Sequence, residues 1–221
     1  MSLRKFTNIL ASTFFLVGAL GLQPVHAALL TFDGNICGGV CGNGSLIDAN
    51  YGSTAEVAVS YANRASAGNT ALQSSQLFFW GPDYNKLTNV AYGGSGQVAE
   101  IRLIPDASHS VTLGSFDLGG WLQTQRDTQY TVYDGLYQLL FSSGSITVGI
   151  GNVANSFAPG ITSNNGIILQ FGPDAFNVGI DNISFTANRL NPNNTVPEPG
   201  TILLLAAALL SFAATRKRKA H

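Results

Sequence analysis

Apolar and polar residues alternate with a period of two in about ten short runs along the middle of this chain. The runs fall at 29–33, 56–62, 73–80, 97–105, 110–118, 129–133, 137–142, 145–150, 167–171 and 177–186. Successive side chains of a strand point to opposite faces, so each run describes a half-buried strand. Val, Ile, Phe, Thr and Tyr recur in them, and Gly, Asn, Asp or Pro bounds most of them. No stretch of this region carries apolar residues at helical spacing. The pattern predicts an all-β domain, an antiparallel β-sandwich of jelly-roll-like form.

Two apolar segments frame that domain. At the start, Arg4 and Lys5 precede an apolar stretch over residues 9–22, then Gln23-Pro24-Val25-His26-Ala27. A cationic lead, an apolar middle and small residues before the break make a secretory signal peptide over 1–27, with the mature chain beginning at Ala28. At the other end, residues 202–214 are apolar on every side, and Arg216, Lys217, Arg218 and Lys219 follow. Such a helix has no polar face with which to sit on a soluble domain, and basic residues beyond it act as a stop with the tail in the cytoplasm. The run is short for a span, but lysine and arginine stems extend it by snorkelling. The chain therefore divides into a leader (1–27), an ectodomain (28–188), a linker (189–195) and a C-terminal signal (196–221) with one transmembrane helix.

Charge excludes one function class. Between residues 28 and 196 there are five cations, Arg64, Lys86, Arg102, Arg126 and Arg189, against 11 carboxylates. No basic patch exists to neutralise phosphates, so nucleic acid is not a partner. The two cysteines, Cys37 and Cys41, flank Gly38-Gly39-Val40. In an exported chain that spacing reads as a local disulfide, and two thiols without further ligands fall short of a zinc site.

Just before the apolar tail stands Val196-Pro197-Glu198-Pro199-Gly200-Thr201. Both prolines fix their own backbone and push the residue before them out of helical space, so 196–199 is expected to be extended, as a protease groove requires. This motif, the apolar helix and the basic end resemble the PEP-CTERM sorting signal of Gram-negative bacteria. The resemblance implies an exosortase, a membrane-embedded protease, as partner. It also implies a role linked to exopolysaccharide and to biofilm or floc formation. The expected route is export, anchoring in the inner membrane with a periplasmic ectodomain, then release to the cell surface or beyond.

Asp181-Asn182-Ile183-Ser184-Phe185 and Leu30-Thr31-Phe32-Asp33-Gly34 resemble the terminal strands of jelly-roll carbohydrate-binding modules and of PEP-CTERM ectodomains. Strict alternation sets Val178, Ile180 and Asn182 on one face and Gly179, Asp181, Ile183 and Phe185 on the other. A carboxylate among apolar neighbours must be bonded or bound to a cation. Pairing of first and last strands would bring Asp33 near Asp181. There the two either cap strand ends through backbone bonds or hold a structural calcium ion through their oxygens.

Catalytic constellations are sparse. The ectodomain has one histidine, His109, which reads as a turn residue, and Ser95 lies in Gly93-Gly94-Ser95-Gly96, which is not a nucleophile elbow. Glu56, Glu100, Asp106, Asp117, Asp127 and Asp134 are spare acids, but no spacing selects a hydrolytic pair. A non-catalytic matrix protein is the expectation. A lectin-like module that stacks sugars on Trp80, Tyr84 and Trp121 is the first alternative, with a core role open for either tryptophan, and a secreted polysaccharide hydrolase is the second.

Overall fold

A computed structural model describes residues 26–68 and 70–190. The expected leader up to residue 25, the sorting motif, the transmembrane helix and the basic tail lie outside the described residues. Among the described residues no helix is long and apolar enough to cross a membrane. They form fourteen strands and one 3-10 turn, Ile150–Asn152.

The strands are β1 (His26–Leu30), β2 (Val57–Arg64), β3 (Leu72–Ser74), β4 (Phe78–Trp80), β5 (Val90–Tyr92), β6 (Val98–Pro105) and β7 (His109–Gly120). Then come β8 (Arg126–Asp134), β9 (Leu139–Ser142), β10 (Ile146–Val148), β11 (Asn155–Phe157), β12 (Ile161–Ser163), β13 (Ile167–Gly172) and β14 (Val178–Arg189). One antiparallel sheet runs β11-β7-β14-β5-β4, with β1 beside β14 and β12 beside β7; the other runs β10-β8-β13-β6-β2-β3, with β9 beside β8. First and last strands do pair, from His26 opposite Ala187 to Leu30 opposite Ile183. His26 and Ala27 already belong to β1, so cleavage after Ala27 would trim two rungs of that ladder.

The inward faces of the two sheets share one core. Val57, Val59 and Tyr61 of β2, Ile101 and Leu103 of β6 and Ile167, Leu169 and Phe171 of β13 meet Leu113, Phe116 and Leu118 of β7 and Ile183 and Phe185 of β14. Phe32, Phe116, Phe171 and Phe185 are among the largest fully enclosed side chains, and burying each stabilises the fold by about 1.5–3 kcal/mol.

Strict alternation fails at one place that matters. Asn182 adopts φ 52, and the β14–β7 register shifts between Asp181 and Ser184. The extra residue reverses parity, so Val178 and Ile180 ahead of it and Ile183, Phe185 and Ala187 behind it all reach the core. Asp181 is therefore not grouped with Ile183 and Phe185, as alternation implied. It stands directly opposite Asp117 of β7.

Cys37 and Cys41 are joined, and no free cysteine exists among the described residues. The loop closed is five residues, for which chain entropy gives about 2 kcal/mol. Reduction is expected to lower the unfolding temperature by several degrees without abolishing the fold, which a melt with and without reductant checks.

Candidate functional site

Three residues singled out in the sequence, Trp80, Tyr84 and Trp121, converge on the outer face of the first sheet. Trp80 ends β4, Trp121 follows β7, and the intervening loop returns so that Tyr84 forms isolated bridges with Trp121 and Leu87. Ring centroids of Trp80 and Trp121 are 6.0 Å apart at 79°, those of Trp121 and Phe176 5.7 Å at 74°, and those of Trp80 and Tyr92 6.0 Å at 81°. These edge-to-face contacts are the favoured aromatic geometry.

Two glycines make the cluster possible. Gly119 and Gly179 are cross-strand partners. A Cβ at Gly119 would lie 2.4 Å from the Tyr84 carbonyl oxygen, and one at Gly179 would lie 2.8 Å from the Tyr84 ring. The bare patch lets the loop lie flat on the sheet. Asn85, fully buried, fastens it by accepting from the Gly120 amide through its side chain and from the Ala154 amide, at 3.0 Å, through its carbonyl.

Tyr84 is 1% exposed and its hydroxyl donates to the Phe176 carbonyl at 2.9 Å, which raises its pKa well above 10 through desolvation. It has no face to offer a sugar, which corrects its place among the sugar-stacking candidates. Trp80 and Trp121 are only half-buried. The Trp80 indole N–H is enclosed without an acceptor, so packing alone holds that ring.

A second convergence concerns Asp33 and Asp181. Asn89 donates to Asp33 Oδ1, Asn182 donates its amide to Asp181 Oδ1 at 2.7 Å, and the Asn182 side chain donates to Asp117 Oδ2 at 2.8 Å. Asp181 is 4% exposed. Burial, with Asp33 and Asp117 adding repulsion, pushes its pKa up to about 7. Among the described residues no three His, Cys, Asp or Glu side chains are grouped so as to hold a metal ion. Asp33 and Asp181 by themselves supply too few oxygens for calcium, which takes six to eight.

The spare acids singled out in the sequence each bond to a neighbour within the domain. Glu56 faces His26 at 3.5 Å, and Glu100 takes Arg64 at 2.6 Å. Asp127 accepts from Thr147 at 2.7 Å, and Asp134 Oδ1 accepts the amides of Leu136 at 2.8 Å and Gln138 at 2.9 Å. His109, whose amide closes the 106–109 turn on the Asp106 carbonyl at 3.1 Å as it opens β7, meets Asp106 Oδ1 at 2.8 Å; that bond and those from Ser108 hold Asp106 down to about 2.

Residues 195–219 match the family model described as the PEP-CTERM protein-sorting motif. Among curated proteins none matches this chain. Among solved structures, a GH26-CBM35 beta-(1,4)-mannanase of Podospora anserina aligns at 14% identity with a TM-score of 0.32, over 68% of this chain. The chain spans 29% of that protein's length. The motif marks a chain for export and for processing by an exosortase, and this chain carries it at its C-terminal end.

Proposed function

We propose that this chain is a non-catalytic, exosortase-processed protein of the cell surface or extracellular matrix that works in contact with exopolysaccharide, in biofilm or floc. The observation that carries the reading is the sorting motif at 195–219, placed just beyond a sandwich whose last strand ends at Arg189. In this reading a single C-terminal span holds the ectodomain on the periplasmic side of the inner membrane until cleavage near Val196-Pro197-Glu198-Pro199. Arg216, Lys217, Arg218 and Lys219 mark the cytoplasmic end. The scaffold partners of Glu56, Glu100, Asp106, Asp127 and Asp134 support the non-catalytic part over a hydrolase. The jelly-roll refinement belongs to the same proposal; β13 between β6 and β8, and β14 beside β7, support it.

The test is the intact mass and location of the protein in cells with and without exosortase. With the enzyme, the product is expected to lack the basic tail and leave the inner membrane. Without it, the full C-terminal signal is expected to stay in the membrane fraction. Identical masses and locations in the two strains would remove the proposal.

A lectin-like reading is favoured by one observation, the half-exposed Trp80–Trp121 pair on a fixed aromatic bed. Trp121→Ala is expected to weaken retention on the host's own polysaccharide about tenfold, as loss of one aromatic contact implies. Affinity electrophoresis of wild type and variant reads it, and unchanged retention would discard Trp121 as a contact.

A further inference from the structure

We propose that the bond expected to be cut when the leader is removed, Ala27–Ala28, is open to a peptidase only until the last strand closes on the first, so that leader removal must precede closure of the sandwich. The bond lies inside the β1–β14 ladder, where Ala27 stands opposite Thr186 and Ala28 opposite Phe185. His26, one residue further out, is already paired with Ala187. A peptidase takes its substrate as an extended strand and needs the backbone on both sides of the cut. Here β14 holds that backbone.

Side chains grip the strand as well. Ala28 packs against the core, Leu30 is 2% exposed and Phe32 is fully buried. The turn at Gly52 lies so close that a Cβ there would stand 2.1 Å from Leu30 Cδ2. Room is short on the outer side too. Residues 23–25 separate the apolar run of the leader from the first rung, and even fully extended they span at most about 11 Å. A membrane-bound peptidase would have to work in that gap, against the end of a closed sandwich.

Chain order supplies the window. Strand β1 is the first and β14 the last, so nearly the whole ectodomain must be exported before the ladder forms. Until then the bond is free. Its hydrolysis consumes one water, whose oxygen completes the Ala27 carboxylate while Ala28 leaves as an ammonium group. The mature strand keeps the rungs from Ala28 to Leu30, and with them its hold on the core. A chain that closes uncut still folds, because both ends leave the sandwich side by side, His26 next to Ala187. Such a chain is held in the membrane by both ends, and cutting its tail alone does not release it.

The inference rests on the leader reading and is separate from the sorting and sugar readings. The test uses the full chain in exporting cells. Chains labelled while the leader peptidase is inhibited are expected, once the inhibitor is washed out, to lose the leader at least about tenfold more slowly than chains made afterwards, as a bond that is rarely exposed must. With Ala-Gly-Ser-Gly-Ser-Gly inserted between Ala27 and Ala28, the cut moves outside the ladder, and the two pools are expected to be cut alike. The processed insert variant should melt with processed wild type, which ties its cleavage to the moved bond rather than to a lost fold. Pulse-labelled gels and the N-terminal sequence of the product read these outcomes. Equal cleavage of the two wild-type pools, or an insert variant whose held pool stays uncut, would overturn the proposal. Absence of cleavage after Ala27 in chains made after wash-out would instead remove the leader itself, and the proposal with it.

Discussion

Replacing Glu100 by alanine is expected to destabilise the domain by about 3–5 kcal/mol, the range for breaking a buried ion pair from one side. Glu100 is fully buried on the outward face of β6. Its oxygens accept from Arg64 Nη2 at 2.6 Å, Gln170 Nε2 at 2.7 Å and the Tyr137 hydroxyl at 3.1 and 3.0 Å. Alanine would leave Arg64, itself 7% exposed and already with an unbonded Nε, as a buried cation without its counter-charge. Glu100→Gln keeps the volume and one accepting oxygen but also removes the counter-charge, so it should cost less than alanine while still destabilising the domain. Urea unfolding midpoints of the three proteins decide it. The network also pins a loop, because Gln170 Oε1 accepts from the Gly68 amide at 2.8 Å and Arg64 Nη1 donates to the Thr70 carbonyl at 2.6 Å. Hydrogen exchange at Gly68 should therefore quicken in Glu100→Ala before the domain unfolds. A loss below about 1 kcal/mol, typical of an exposed pair, would mean that water reaches this site.

Asp181 should make the domain weaker as the medium turns alkaline. Its pKa rises from 3.8 in a free chain to about 7 in the fold, chiefly because burial disfavours the charged form. Between those values the folded state holds a proton that the unfolded chain has lost. Stability is then greatest at and below about pH 4, declines as pH rises through that interval, and levels off above pH 7. At about 1.4 kcal/mol per pH unit the full shift corresponds to roughly 4 kcal/mol as an upper bound. Asp181→Asn mimics the protonated form and should flatten the difference between pH 5 and pH 8, leaving the variant more stable than wild type at pH 8. Denaturant midpoints at the two pH values, with and without chelator, measure this. Parallel pH curves for variant and wild type would refute the linkage. Stabilisation at pH 8 by added calcium would show instead that the carboxylates recruit a cation.

Most of the sandwich was legible because its central strands obey simple rules. In β6, Ile101 and Leu103 face in while Arg102 and Ile104 face out, and β2 alternates in the same way from Val57 to Tyr61. Three strands escaped the pattern. Val90–Tyr92 is buried on both faces and so does not alternate, while Asn155–Phe157 and Ile161–Ser163 are three residues each and too short to show a period. The expected run at 73–80 breaks into β3 and β4, where Asn63 donates to Ser74 and to the Gln76 carbonyl.

The parity reversal at Asn182 was hidden, since a single left-handed residue leaves little trace in sequence. Tyr84 was misjudged for a different reason. The signal was present in Gly119 and Gly179, glycines inside strands that mark close approach of another segment, but only the β7–β14 register shows that they face each other. First and last strands pair as expected, and Asp33 is near enough to help raise the Asp181 pKa, whereas Asp117, the third carboxylate, comes from the middle of the chain. The C-terminal motif was the easiest feature to read, because its residues are contiguous in the sequence.

One feature of the first sheet bears on how such a protein withstands a tug. Strand β14 lies between β1 and β7, is matched along most of its length to β7, and its last residue, Arg189, stands next to the linker that leads to the tail. A pull applied at the C-terminal side of the domain would reach it through that strand. A pull along its axis loads both neighbouring ladders lengthwise, so their hydrogen bonds must give way together rather than peel off one by one. The most extensively paired strand is thus the one that such a pull would load first.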